Sequence, residues 1–383
     1  MKRLARALVV VLLGGALAIA QLAPAAAIGG FDPAQEVLRP SCSGLDLRAD
    51  VVAGPDKRLH GFVSAELGSP GCSKGIWYVE RRDGRWFRQR SPYDGKVLAV
   101  AADATGTYLL HLTEIATLRI TKRTAGGTFT PGRLIGGFHP AVDRDRVTGD
   151  VVASGGEWWA VWGNPEDGDL WHAKTIGPDI AGGLSVDITN SPDTQDVAPS
   201  LVLRPGGNVT MAWTMSGSLG PAGPLGLGTA GPSGIWQLRT FELTPDEPDV
   251  LNVTPQLAFA GSTTQLVWVR FHAPPSGPSG PQEVRTASNL GSGWSREHTF
   301  RTHGFGPRVA LSSGKIFEAW TTTREPTRAF VAEVPTSGGT WTGTAVSPAT
   351  SQLFHIVVAL AGVGGKATVL VYDGNRIYAK TQR

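Results

Sequence analysis

The chain repeats itself about every 50 residues. Each unit has a short apolar run, a Gly-containing turn, a second apolar run ending in an aromatic, then a loop and a third run. The clearest copies run from Pro199 to Trp213, Pro255 to Trp268 and Pro307 to Trp320. Weaker copies end at Phe62, Leu110, Trp162 and Tyr372. The seven ends are spaced by 48, 52, 51, 55, 52 and 52 residues. Long amphipathic helical patterns are absent, and the runs are short, β-branched and bounded by Gly and Pro, so they are strands. Second runs such as VTMAWTM and QLVWVRF are apolar at nearly every position, which fits sheets buried on both faces. Strand-built units of one size must bury those faces against their neighbours, and a closed ring leaves no bare end. The sequence therefore predicts an all-β, seven-bladed β-propeller.

Third strands are read at Gly75-IWYVE, Gly234-IWQLRTF and Arg376-IYAK, and aromatics after tight turns, Trp86, Phe129, Trp294 and Trp341, introduce fourth strands. The last blade lacks a fourth strand. Phe31-DPAQEVLRP has the aromatic and exit proline of one, so the N-terminal strand is expected to close the ring and remove its exposed edges. Blade 3 is the least regular, and residues 137–149 are either its inner strand or an insertion before it.

The first 27 residues read as a secretory signal: Lys2, Arg3 and Arg6, an apolar run from Ala7 to Ala20, and Ala25-Ala26-Ala27 as the cleavage site. The expected mature protein is residues 28–383, one secreted, extracellular domain. The whole chain has 35 Lys+Arg against 32 Asp+Glu. Without the signal's three basic residues the charge is formally neutral, which argues against nucleic acid as a partner. No later apolar run is long enough to span a membrane, and a soluble monomer is expected. Gly 50 and Pro 27 mark a chain rich in tight turns. Cys42 and Cys72 both fall on the face carrying the strand 2–3 loops and are expected to form a disulfide.

The turn-plus-aromatic elements resemble the Asp-box, or BNR, repeat of sialidase-like propellers, S-x-D-x-G-x-T-W. Arg82-Asp83-Gly84-Arg85-Trp86 keeps an Asp at altered spacing. Thr336-Ser337-Gly338-Gly339-Thr340-Trp341 keeps the Gly-x-Thr-Trp end with Thr in place of Asp, and Thr124 to Phe129 is similar with Phe for Trp. The resemblance spans most of the mature chain. It implies a propeller; true sialidases would add six blades, three arginines, a tyrosine nucleophile with a glutamate partner, and an aspartate acid. The count here is seven blades. Leu38-Arg39-Pro40 looks like the family's early Arg-x-Pro element but lies in the closure strand, and no Tyr/Glu pair is placed by motif.

Polar residues recur where the inner strands begin: His139, Asp196, Asn252, His303 and His355. Equivalent positions in a propeller converge on the channel mouth, so these five are the expected ligand-binding residues. Glu166-Asp167-Gly168-Asp169 and Asp193 supply hard oxygens from adjacent loops; Glu166, Asp167 and Asp193 are the candidate ligands for Ca²⁺, and no other cofactor is expected. Gly71-Cys72-Ser73-Lys74-Gly75 spells G-x-S-x-G, but it precedes a strand and not a helix, so no catalytic serine is assigned. Two Gly/Pro-rich stretches, 218–233 and 272–282, are expected as neighbouring strand 2–3 loops. These features favour a secreted propeller that binds a glycan or cell-envelope component on its top face, with no assigned catalytic residues. A glycoside hydrolase or lyase using Asp193, Asp196 or Glu166, and a protein-interaction scaffold using the two loops, are the alternatives.

Overall fold

A computed structural model describes residues 30–39, 46–66, 74–175, 185–191, 194–217, 223–244, 247, 249–272, 279–291, 293–295, 298–300, 303–322, 327–348 and 355–383. It holds seven four-stranded antiparallel sheets. Blades 1 to 6 span residues 46–90, 96–137, 148–187, 194–240, 250–300 and 304–345. Blade 7 combines Ile356–Val363, Lys366–Tyr372 and Ile377–Thr381 with Gln35–Leu38 from the other end of the chain. Gln35 pairs with Ala379 and Leu38 with Ile377, and Phe31 bridges Gln382 beyond them. The N-terminal strand therefore closes the ring as its sequence suggested. Among the described residues no helix is long and apolar enough to cross a membrane.

Each inner strand packs against the inner strands of both neighbouring blades, and Ile356–Val363 meets Asp46–Ala53 to complete the circle. Every second strand lies sandwiched between blades; all seven residues of Gly106–Leu112 are buried. The closure strand adds Val37 and Leu38 to a core shared by blades 7 and 1, with Val63, Leu370 and Ala379. Side chains also latch each blade to the next, where a strand edge facing the channel would otherwise leave N–H groups unpaired. Ser64 Oγ accepts the Val97 N–H at 3.1 Å, Ser200 Oγ accepts that of Leu257 at 2.9 Å, and Thr321 Oγ1 accepts that of Val357 at 2.8 Å.

Two details differ from the sequence reading, and one settles an alternative it left open. In blade 4 the third strand is Leu225–Ala230, within the Gly/Pro-rich stretch 218–233, and the run after Gly234 forms the fourth strand, Trp236–Thr240. Its glycines are strand residues for a packing reason: a Cβ on Gly226 would come within 2.0 Å of the Trp213 indole. The second such stretch ends likewise in a strand, Ser279–Asn289. In blade 3 the inner strand is Thr148–Ser154, so the residues before it are an inserted connection containing one 3-10 turn, Arg144–Arg146.

Candidate functional site

The central channel is the one place where all seven blades meet. Its mouth is a cavity of about 450 Å³ lined by the first residues of the inner strands, among them Arg48, Lys96, Thr148, Gln256 and Arg308. Below it, Gln256 and Arg308 also line a further cavity of about 350 Å³ with Asp50, Asp150 and Ser200.

Strand register explains which side chains turn inward. Ser200, Gln256 and Arg308 pair with Ala212, Val267 and Ala319, each the residue before its strand's tryptophan. Asp150 pairs with Val161, just before Trp162. These four occupy one level of the ring. Bulges at Ala198, Thr254 and Gly306, all with positive φ, precede Pro199, Pro255 and Pro307 and set the level. Asp50 joins it through the same latch that Asp150 makes. Asp50 Oδ2 accepts the Val100 N–H at 2.7 Å, and Asp150 Oδ2 accepts the Leu201 N–H at 2.6 Å.

The two carboxyls titrate abnormally. Burial raises Asp50 from 3.8 to about 6, against the Val100 N–H and the Arg308 charge, which pull it down. Burial raises Asp150 to about 7, and the neighbouring Asp50 charge adds to the rise. Arg308 donates to the Pro307 carbonyl at 3.0 Å, which fixes its stem on the channel wall. At the mouth the inserted connection leans over the rim. Asp145 Oδ1 lies 3.4 Å from Arg48 Nη2 and 3.5 Å from Lys96 Nζ, and Arg146 donates to Gln195 of blade 4. At the opening the Asp145 carboxylate thus sits between the Arg48 and Lys96 cations.

The residues expected to bind ligand lie mostly elsewhere. Asp196 and Asn252 are 1% exposed and point into their blades. Asp196 Oδ1 accepts the Trp213 indole N–H at 2.9 Å, and Asn252 Oδ1 accepts that of Trp268 at 3.1 Å. His355 is 3% exposed and its Nδ1 meets the Tyr378 hydroxyl at 3.2 Å. These three side chains brace the blades and do not reach the channel wall. His303 is half-buried at a left-handed backbone position just before the blade 6 inner strand. His139 is exposed on the inserted connection, where its N–H donates to Glu166, but it does not line the mouth cavity. The oxygens of Asp167 accept from Trp171 Nε1, Asn164 Nδ2 and the Asp169 N–H, so Glu166 and Asp167 hold turns together. Asp193, Cys42, Cys72 and Ser73 lie outside the described residues, and among the described residues no three His, Cys, Asp or Glu are grouped to hold a metal ion.

Sequence reading missed Asp50, Asp150 and Arg308. A usable signal existed: Ser200, Gln256 and Arg308 each follow the proline that starts a repeat. Residue position relative to that proline, not closeness to the loop, selects the channel-facing side chain.

No protein-family model matches the sequence, and a search of curated proteins finds no match. Solved structures do match in shape. An α-L-arabinofuranosidase from Fusarium graminearum in complex with an iminosugar inhibitor is 12% identical, with a TM-score of 0.51 over 93% of this chain and 98% of that one. A polysaccharide lyase, an ulvan lyase, is 11% identical with a TM-score of 0.52 over 72% and 80%. A protein of unknown function from Dyadobacter fermentans is 10% identical with a TM-score of 0.50 over 92% and 98%. At such identities the likeness shows the fold.

Proposed function

We propose that this propeller binds a saccharide at the mouth of its central channel, after export and removal of residues 1–27. The observation that carries the reading is the inward-facing level of Asp50, Asp150, Ser200, Gln256 and Arg308 beneath a rim that carries Arg48, Lys96 and Asp145. A sugar hydroxyl both donates and accepts. A wall that holds two carboxylates, a hydroxyl, an amide and a guanidinium offers partners for both roles, held in place by strands and not by loops. The fold shared with the arabinofuranosidase and the lyase, and the Asp-box-like turns at Asp83-Gly84 and Gly338-Gly339, support placing the chain beside sialidase-like, glycan-active propellers.

The test is a glycan array on the purified protein, followed by titration calorimetry with any hit. Arg308→Gln is expected to weaken binding about tenfold or more, the loss of about 1.4 kcal/mol expected for a charged hydrogen bond. A blank array, or full affinity in Arg308→Gln, would refute the channel as the site.

One observation favours a second reading, hydrolysis. Two carboxyls on one ring level, raised to about 6 and about 7, would leave one protonated and one ionised near neutral pH, as general acid–base cleavage of a glycoside requires. Release of reducing ends with a bell-shaped pH profile, abolished by Asp150→Asn, would establish it.

A further inference from the structure

A second polar cavity opens on the opposite face of the ring, between blades 1 and 2. It measures about 270 Å³ and is lined by the ends of the two inner strands and the turns that follow them. Its floor is a network built on one residue pair. Tyr78 and Glu80 sit two apart on one strand and so face the same side. Glu80, 4% exposed, takes Arg58 Nη1 on one oxygen at 3.2 Å and Arg82 Nη2 on the other at 3.0 Å. His60 spans the gap to the next carboxylate: its Nδ1 is 2.6 Å from the Tyr78 hydroxyl and its Nε2 is 2.9 Å from Asp56 Oδ1. Gly54 makes this possible, since a Cβ there would fall 2.6 Å from the His60 ring and 2.7 Å from Asp56. Across the cleft, the Arg123 guanidinium of blade 2 lies over the Tyr78 ring, 4.1 Å from its centroid, and donates to Gln89.

We propose that this cleft is a second saccharide-binding site, for a single neutral sugar unit, independent of the channel. Three guanidinium groups face the cavity, and the carboxylates of Asp56, Glu80 and Asp103 match them, so it has no net charge to attract an anion. Glu80 at the centre would repel one. Each guanidinium carries five N–H groups. Among the described residues the bonds to Glu80 and Gln89 take one from each, and Arg82 Nε is out of water with no partner. Donors and acceptors therefore line one small cavity, the combination that the hydroxyls of a vicinal diol can satisfy. The volume is at the lower end for small-molecule sites and suits one ring rather than a chain. Burial, with the Glu80 charge next to it, pushes the Tyr78 phenol up to about 12, so it stays a neutral hydroxyl that binds and does not attack. The His60 tautomer is set by Asp56, which fixes the direction of the Tyr78 hydrogen bond before any ligand arrives.

Two saccharide sites on opposite faces would let one molecule link two glycan chains. The test uses saturation-transfer NMR on the intact protein with glucose, galactose, mannose, fucose and arabinose, one at a time, and sodium sulfate as the anionic probe. At least one sugar is expected to bind with millimolar affinity. Binding should survive Arg308→Gln, which separates this site from the channel. In the Arg308→Gln background, where the channel site is weakened, it should fall about tenfold further on Arg58→Gln, whose exposed side chain can be changed without touching the core, and on Glu80→Gln. Thermal melting of Arg58→Gln should match the parent, so a folding defect cannot produce the loss. The proposal is overturned if no sugar binds, if Arg58→Gln and Glu80→Gln both leave binding unchanged in that background, or if sulfate binds more tightly than every sugar.

Discussion

Two sets of polar residues stand on the inner strands of different blades, at levels a few positions apart, and do opposite things. Asp196 and Asn252 turn into their blades and clasp the indoles of Trp213 and Trp268. Asp50, Asp150 and Arg308 turn into the channel and meet across it. The first set trades water for one well-made hydrogen bond and becomes architecture. The second set is enclosed with fewer partners than it could use, so its carboxyls keep their protons to higher pH than a free carboxyl does. Blade 6 sharpens the contrast. By register Gly304 is the counterpart of Asp196 and Asn252, opposite the second residue after its strand's tryptophan. Glycine has no side chain to offer, and Trp320 Nε1 is buried without a partner among the described residues.

Breaking the clasp should produce the largest effect. Trp268→Ala is expected to cost about 3–5 kcal/mol through the cavity it leaves. Asn252→Ala should cost about 1–3 kcal/mol by orphaning the indole N–H. In urea unfolding the double variant should cost less than the sum, because the two changes remove one contact. Additive losses would show that the clasp is not a unit.

The channel set should reveal itself next, through pH. The folded state keeps Asp150 protonated up to about 7, whereas the unfolded chain releases that proton near 3.8. The native state therefore binds more protons across this window, and stability falls as pH rises from about 4 to about 7. Asp50, raised to about 6, and the fully buried Glu318, raised by burial to about 8, act in the same direction. His111 and His172, each lowered by burial to about 4, act in the opposite direction, so the comparison isolates Asp150: between pH 4 and 8 the melting temperature of Asp150→Asn should rise relative to the parent as pH increases. An unchanged slope would mean that Asp150 is ionised in the fold.

A smaller gain should come from supplying what blade 6 lacks. Gly304→Asn is expected to stabilise the protein by about 1 kcal/mol by giving Trp320 an acceptor, read as a higher urea midpoint. No gain would show that the Trp320 indole is already satisfied. The smallest effect is expected from His139→Ala, within about 0.5 kcal/mol of the parent, because the side chain is exposed on the inserted connection. Its glycan affinity, measured alongside, distinguishes a rim contact from a bystander.

The contrast also shows what was legible in the sequence. Seven units, their tryptophans and the borrowed closing strand could be read because burial between blades imposes the same apolar runs each time. The clasps could not be told from a ligand site. Side chains alternate along a strand, and a single bulge at Ala198 or Thr254 exchanges the two faces without changing the spacing. Loop composition misled in blade 4 because Gly226 looks like a turn residue, yet it is there to admit Trp213. The blade 1–2 cleft was hidden for another reason: Arg58, Glu80 and Arg123 come from a turn and two strands that the fold alone brings together. Tyr78, Glu80 and Arg82, spaced by two, were visible as one strand face, but nothing in the spacing revealed Arg58 or Arg123 beside them.

The borrowed strand has a consequence for how the molecule is made. Leu38 and Ile377 pair although they are about 340 residues apart. Closing so long a loop costs only about 2 kcal/mol more than closing one blade, since the entropy grows with the logarithm of length. The burden falls on time instead. Gln35–Leu38 is synthesised about 340 residues ahead of Ile377–Thr381 and must wait, unpaired and half apolar, until that strand emerges. The seam is thus a checkpoint: a chain cut short before Ile377 would still display an open edge to chaperones and proteases.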